Sequence, residues 1–491
     1  MNRDAGLARA LDRREPWDLV VIGGGATGVG VALDAATRGY AALLVERGDF
    51  GVGTSSRSTK LVHGGVRYLR QGRVGLVLDA LRERGRLRRN APHVVHDLPF
   101  VLPCYTRREK FLYGLGLTAY DLLAGRERFG RSKVIPAGEV VRRLPTVQTG
   151  RLRGGVVYHD GQFDDSRLLI DLARAAVRAG ATLLNYAPAV GLTGRAAGID
   201  GVIVRDAEGG AEWRAAARVV VNAAGPFCDA VRRLADPAAA PLVAASRGSH
   251  VVLPGSFLPG DHALLVPDTP DGRVLFAIPW HGHVVVGTTD VPCPDVPAEP
   301  RATPDEVAFI LETAGRYLAV RPTRADVLST FAGIRPLVSG AGSTAGLSRD
   351  HTIRVDAPGL VTITGGKWTT YRRMAEDCVD RAAELAGLPR RRCATPDLAI
   401  RGPAEVEDSP VLDPAFPYRA ADVVRAARHE MARTVEDVLA RRTRALFLNA
   451  AAAVRMAPAV AAILAAELGR DAGWQAAQVK AFGELAAGYV G

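Results

Sequence analysis

The segment Asp18–Glu46 constrains the fold of this chain more than any other. Asp18–Ile22 (DLVVI) is a short apolar run rich in β-branched residues, suited to a buried parallel strand. Gly23, Gly25 and Gly28 follow at G-x-G-x-x-G spacing, and the next segment, ATGVGVALDAATRGY, carries apolar residues at helical intervals. Ala41–Val45 has the pattern of a second strand, closed by Glu46. Each part has a physical task. The first glycine permits the tight turn, the second lets backbone approach a pyrophosphate, and the third allows helix and strand to pack closely. The helix N-terminus offers free N–H groups to phosphate. An acid at the end of the second strand accepts from ribose hydroxyls and favours an unphosphorylated ribose, so the unit suits FAD or NAD over NADP.

The chain then leaves the pattern of a nicotinamide-binding domain. Thr54–Leu69 (TSSRSTKLVHGGVRYL) concentrates hydroxyls, Lys60, His63, Arg67 and Tyr68 around a Gly64-Gly65 pair, and an arginine-rich helix is expected over Val74–Asn90. Two later segments return to a strand followed by glycine. Arg218–Phe227 (RVVVNAAGPF) ends in Ala224 and Gly225, and Leu360–Arg372 (LVTITGGKWTTYR) carries Gly366, Lys367 and Thr369. Helix N–H groups at the second of these could face a flavin carbonyl or a developing flavin charge. Three such corners predict one extended cofactor, FAD, touched from three places.

Composition limits the partners. Net charge is +11, but arginine supplies nearly all of the 63 basic residues, and aromatics are only 6% with none interleaving the basic runs. Such a chain is not expected to bind nucleic acid. Lysine scarcity singles out Lys60 and Lys367, two of five lysines, as positions that need an ammonium. The five scattered cysteines form no CxxC and are expected as reduced buried thiols. His281-Gly-His283 lacks a third ligand at a sensible spacing, and no metal is expected. The N-terminus shows no apolar signal-peptide core, and no run reaches the ~20 apolar residues that span a bilayer.

These pieces together resemble the FAD-dependent glycerol-3-phosphate dehydrogenases, which share a glutathione-reductase-like fold with amine oxidases such as sarcosine oxidase. The matching segments are VIGGGATGVGVALDAATRGY, TSSRSTKLVHGGVRYL, YHDGQFDDSRL, NAAGPF, RGSH, IPW followed by GTTD, GIRPL, SRDH, TGGKWTTYR and HEMARTVEDVLARRT, in family order. The resemblance implies oxidation of glycerol 3-phosphate to dihydroxyacetone phosphate, with a hydride passing to FAD and electrons passing on to a quinone. It implies that Arg67 and Arg335 hold the phosphate and that Arg349 lies beside substrate and flavin. His63 is the expected base, since an imidazole titrates near about 6.5. His250 is its rival and is expected to contact substrate, as is Tyr68. Lys367 is expected to orient the substrate oxygen or stabilise reduced flavin. Ser55, Ser56, Thr59 and Lys60 are expected to face FAD.

The fold class expected is α/β plus α+β. A discontinuous Rossmann-like FAD-binding domain takes 17–90, 150–240 and 345–388. A mostly antiparallel β substrate domain takes 91–149 and 241–344. A C-terminal α-helical domain takes 389–491, with helices over Asp422–Phe447 and Ala450–Leu468. That last domain departs from the family pattern, being shorter before HEMARTVEDVLARRT. Phe111–Ala124 is apolar with arginines and a lysine on its flanks, a segment suited to lie in a membrane interface. A cytoplasmic protein, peripheral on the inner face of the plasma membrane and capable of forming a homodimer, is the expectation. The alternatives are an oxidase that uses O2, a related flavoenzyme on another substrate, and a non-catalytic flavoprotein.

Overall fold

The computed structural model describes residues 1–65, 74–194, 198–267, 269, 272–338, 351–404 and 408–490. Two sheets organise it. In the first, Trp17–Ile22 is central and pairs in parallel with Ala42–Val45 on one side and Glu212–Asn222 on the other. Thr182–Leu184 and Leu360–Gly365 extend it in parallel, and His351–Ala357 closes one edge antiparallel. Leu19–Ile22, Ala42–Val45 and Val219–Val221 are apolar and buried at every position, so both faces of the sheet are covered, as a parallel sheet requires. The helices Ala26–Thr37, Asp165–Arg178 and Tyr371–Leu385 form one cover, packing through Val29, Leu33, Leu169, Leu172, Met374 and Val379.

The second sheet has ten strands and is antiparallel except where Ala263–Val266 runs beside Val95–Cys104. Its long members are Val243–Pro254, Ser329–Val338, Val95–Cys104 and Gly154–Phe163. Here one boundary needs correction. Gly154–Phe163, expected in the nucleotide-binding unit, pairs with Val95–Cys104 along its whole length and also takes Leu61–Val62. The strand before Asp165 therefore belongs to the substrate sheet, while the helix after it belongs to the nucleotide unit. The chain crosses from one to the other at Asp164–Asp165.

The C-terminal region packs on the second sheet. Phe447, Met456, Val460 and Leu464 share a core with Val252, Trp280 and Phe331. The single helix expected over Asp422–Phe447 is instead broken into Ala420–Glu430, a wide turn at Asp437–Arg442 and the short Ala445–Leu448. Met431 and Arg444 adopt left-handed backbone, with φ of 56° and 67°. The reason lies in the arginines. A straight helix would spread Arg441, Arg442 and Arg444 around its surface. The broken path turns Arg441 and Arg442 onto buried Asp49 and Arg444 onto buried Asp165. Ala450–Leu468 has mean hydropathy 1.6 and is long and apolar enough to cross a membrane by length and composition. This corrects the expectation that no segment qualifies, although its Met456, Val460 and Leu464 lie in the shared core.

Candidate active site

Two cavities, of about 390 and 1190 Å3, share Thr54, Pro336 and Gly365–Trp368 in their walls. The smaller is built by the glycine turn. Gly23 has φ 117°, and a Cβ there would stand 2.6 Å from the Ala223 carbonyl oxygen. A Cβ on Gly28 would stand 1.9 Å from the Gly23 oxygen, so helix and turn pack backbone to backbone. Gly25 precedes the helix and offers no side-chain cap, and Ser55 supplies one by accepting from Ala26 N at 2.9 Å. Glu46 accepts from Gly24 N at 2.6 Å and Gly48 N at 2.9 Å, and burial pushes its carboxyl above the usual range. Ala224 and Gly225 complete this wall.

The larger cavity collects the groups suited to an anionic alcohol. On Val243–Pro254, Ser246, Gly248 and His250 lie opposite Arg335, Gly333 and Phe331 of the next strand. Alternation puts these residues on one face. Gly248 leaves room for a guanidinium, since a Cβ there would lie 2.3 Å from Arg335 Nη2. Gly287, across from His250, leaves room for the imidazole in the same way, at 2.3 Å from Cδ2. Arg335 donates to Thr289 O and Thr288 Oγ1, each at 3.1 Å, and lies 3.4 Å from Asp290. Arg273, 3.5 Å from Asp290, adds a second guanidinium to the wall.

His250 is buried and stacked on Phe331, with ring centroids 4.6 Å apart and planes 11° from parallel. Its Nε2 lies 2.9 Å from Thr59 Oγ1, and its Nδ1 has no hydrogen-bond partner among the described residues. Burial, followed by the nearby charges of Lys60 and Arg335, holds this imidazole well below its ordinary pKa. His63 lines the same cavity, with its backbone N donating to Thr369 Oγ1 at 3.2 Å. The adjoining Gly64 N donates to Tyr120 Oη at 2.9 Å, where a Cβ would lie 2.4 Å from that oxygen. Lys367 lines both cavities, and Trp368 Nε1 donates to Ser55 O at 2.8 Å, joining the third corner to the first.

Of the residues expected at the site, Gly23, Gly25, Glu46, Ser55, Ala224 and Gly225 line the smaller cavity. Thr59, His63, His250, Arg335 and Thr369 line the larger, and Gly366 and Lys367 line both. Arg67, Tyr68 and Arg349 lie outside the described residues. Ser56 and Lys60 are corrected: neither lines either of these two cavities. Lys60 is fully buried behind the loop, 2.7 Å from Asp165 and among the rings of Trp280, Phe331 and Phe447. The Ser56 carbonyl accepts from its ammonium at 2.9 Å. Sequence reasoning missed Arg57, Arg273 and Asp290. Arg57 was visible in the loop, and Asp290 in GTTD, but nothing local distinguishes Arg273 from a surface arginine.

The model of FAD dependent oxidoreductases matches residues 18–372, and that of the C-terminal domain of alpha-glycerophosphate oxidase matches 372–478. A mitochondrial glycerol-3-phosphate dehydrogenase of Arabidopsis thaliana is 42% identical, over 93% of this chain and 84% of its own length. This chain belongs to the FAD-dependent glycerol-3-phosphate dehydrogenase family. The mitochondrial enzyme of Rattus norvegicus is 38% identical over 95% of this chain and 72% of its own. Among solved structures, the Bacillus halodurans glycerol-3-phosphate dehydrogenase complexed with FAD superposes with a TM-score of 0.80 at 27% identity, covering 99% of this chain and 97% of that one. The Mycoplasma pneumoniae L-alpha-glycerophosphate oxidase shares the fold, with a TM-score of 0.60 at 17% identity over 78% of this chain and 98% of that one.

The residues present fit FAD, as the family requires. The glycine turn forms a cradle where added side chains would meet backbone, and the buried acid closes the second strand. Gly23, Gly25, Glu46, Ser55, Ala224 and Gly225 would hold its nucleotide end, and Gly366, Lys367 and Thr369 its flavin end.

Proposed function

We propose that this protein oxidises sn-glycerol 3-phosphate to dihydroxyacetone phosphate. The observation that carries the reading is the joining of Arg335, Arg273, Lys367 and a buried neutral imidazole in the wall of one cavity. Bound FAD supplies the hydride acceptor. Arginine forks suit a phosphate dianion because they bind its oxygens in pairs. Arg335 is held ready for that role by Thr288, Thr289 and Asp290. Lys367 orients the reacting oxygen.

In this reading His250 accepts the proton, with His63, which lines the same cavity, as its rival. The stacked ring is fixed, and Nε2, which lies 2.9 Å from Thr59 Oγ1 in the cavity wall, is the nitrogen that takes the hydroxyl proton. A depressed pKa keeps the imidazole neutral at neutral pH. His250→Ala is expected to lower kcat by about 100-fold or more while KM changes far less. An unchanged kcat, with the loss appearing in His63→Ala instead, would return the role to His63.

The electrons are passed to a membrane quinone, with the protein peripheral on the inner face of the plasma membrane. What supports this is the helix Arg107–Ala124. Leu112, Leu115 and Ala119 of that helix line the large cavity, while Phe111, Leu115 and Leu122 are 70, 62 and 76% exposed. Arg107, Arg108, Lys110, Arg126 and Arg128 flank this apolar face, as headgroup-level cations do. Sedimentation with anionic liposomes at low salt tests it, and a Leu115→Asp, Leu122→Asp variant should remain in the supernatant. Stoichiometric peroxide release during turnover would overturn the quinone reading in favour of an oxidase.

A further inference from the structure

The loop that carries Thr59 is held from the far end of the chain. Asp165, fully buried, accepts on Oδ2 from Ser58 N at 3.0 Å, Ser58 Oγ at 2.7 Å and Lys60 Nζ at 2.7 Å. Its Oδ1 accepts from Ser166 N at 2.9 Å and from Arg444 Nη2 at 3.2 Å. The same Nη2 donates to the Ser56 carbonyl at 2.6 Å. Arg444 thus closes a clasp around Ser56–Lys60, and within it Thr59, which lines the cavity together with Arg57 and Ser58, is the residue that reaches His250. A second line of contact runs beside the first. The Arg444 guanidinium lies 4.4 Å from the Phe447 ring centroid, Phe447 meets Phe331 edge-on at 5.1 Å, and Phe331 stacks on His250. Arg444 is itself fixed, with left-handed backbone and Nη1 on Ala440 O at 2.7 Å.

We infer that Arg444, on the C-terminal domain and outside the cavity, is a positioning residue for proton transfer, acting through Thr59 and the Phe447–Phe331 stack on His250. The inference rests on the reading of His250 as proton acceptor. Its physical basis is tolerance: a displacement of about 1 Å between reacting groups costs about 100-fold in rate. A threonine hydroxyl can hold an imidazole only if its own backbone is fixed. Arg57 N donates to Thr54 O and Phe163 N to Lys60 O, each at 3.1 Å, while Asp165 and Arg444 add side-chain anchors between those two points; without Arg444 the Ser56 carbonyl is left to Lys60.

A double-mutant cycle tests this with Arg444→Met, Thr59→Val and the pair, each assayed as the FAD-loaded protein. Each single variant is expected to lower kcat by about 10-fold or more with KM for glycerol 3-phosphate within about threefold. The flavin absorbance per chain should be unchanged, and the pair should lose no more than the worse single variant. Losses that multiply in the pair, a loss carried by KM, or a fall in flavin content matching the fall in rate would overturn the proposal. If Arg444→Met does not accumulate as a folded flavoprotein, Arg444→Lys takes its place. It keeps the charge but lacks the fork, and the same non-additivity is required of it. Failure of the His250 reading is seen separately, as an unchanged kcat in His250→Ala.

Discussion

Asp165→Asn is the substitution whose consequence the structure specifies most fully. Asp165 accepts five hydrogen bonds, three on Oδ2 and two on Oδ1, and among the donors are an ammonium and a guanidinium. An amide keeps one acceptor oxygen. Whichever way it is turned, its NH2 confronts either the Ser58 and Lys60 donors or those of Ser166 and Arg444. Removing one partner of a buried pair costs about 3–5 kcal/mol. At roughly 2 °C per kcal/mol for a chain of this size, the expected fall in Tm is about 6–10 °C. Burial pulls the Lys60 ammonium down to about 7, against the opposing pull of Asp165. An unfolded lysine titrates near 10.4. Between those values the unfolded chain binds more protons than the folded one, so stability rises with pH. In Asp165→Asn the upward pull of the carboxylate is gone and the window opens at lower pH. The deficit should therefore be widest at the acid end, shrink as pH rises towards about 7, and stay constant above it. Thermal unfolding followed by flavin fluorescence from about pH 5 to 9 measures it. Adding Lys60→Met to Asp165→Asn should recover part of the loss, because the stranded charge is removed. A deficit independent of pH, together with no recovery in the double variant, would refute this account of the cluster.

Three further outcomes follow from distances in the site. Gly28→Ala places a methyl 1.9 Å from the Gly23 oxygen, and an overpacking cost of about 1–3 kcal/mol should weaken FAD by about 10-fold or more, read by release of flavin fluorescence on dilution. Gly248→Ala puts a methyl against the Arg335 guanidinium and should raise KM for glycerol 3-phosphate by about 10-fold with a smaller effect on kcat; an unchanged KM would remove Arg335 from phosphate binding. Burial alone would raise the Asp49 pKa, but Arg442 and Arg441 outweigh it and hold the carboxyl down at about 2. A folded pKa below the unfolded value of about 3.9 means that the stability contributed by this cluster is present above pH 4 and is lost as pH falls towards 2. Acid unfolding should therefore release the C-terminal domain over that interval in the wild type, and Asp49→Asn should weaken that domain already at pH 7.

The parts of the site that were readable in the sequence are those whose chemistry is local. Gly23, Gly28 and Glu46 act within one strand–turn–helix–strand unit, so spacing alone exposes them. The alternation that places Gly248 and His250 on one face is equally local. Arg273 was not readable, because its partner Asp290 lies on a separate segment and only the folded sheet brings the two together. The break of Asp422–Phe447 was hidden for the same reason. Helical periodicity continues through it, and what turns the backbone is the distance from Arg441 and Arg442 to Asp49 at the other end of the chain. The strand Gly154–Phe163 was assigned to the wrong sheet because a buried strand has one pattern whichever sheet receives it.

Lysine scarcity gave a true signal with a mistaken partner. Where arginine supplies nearly all of the basic residues, a retained lysine implies a site that a guanidinium does not satisfy. At Lys60 that site is not the cofactor. The ammonium lies between Asp165 and the Ser56 carbonyl, and Arg444 already applies one guanidinium to both of those groups. The rings of Trp280, Phe331 and Phe447 close the remaining space around it at 5.1–5.6 Å. A second planar fork would have to displace the first or an aromatic ring, whereas a compact ammonium on a flexible stem fits between them. Lys60→Arg should therefore disturb the clasp about as much as Arg444→Met, and through the same residue, Thr59. An arginine at position 60 that preserved full kcat would show that the clasp tolerates two guanidinium groups, and the argument from lysine scarcity would then hold for Lys367 alone.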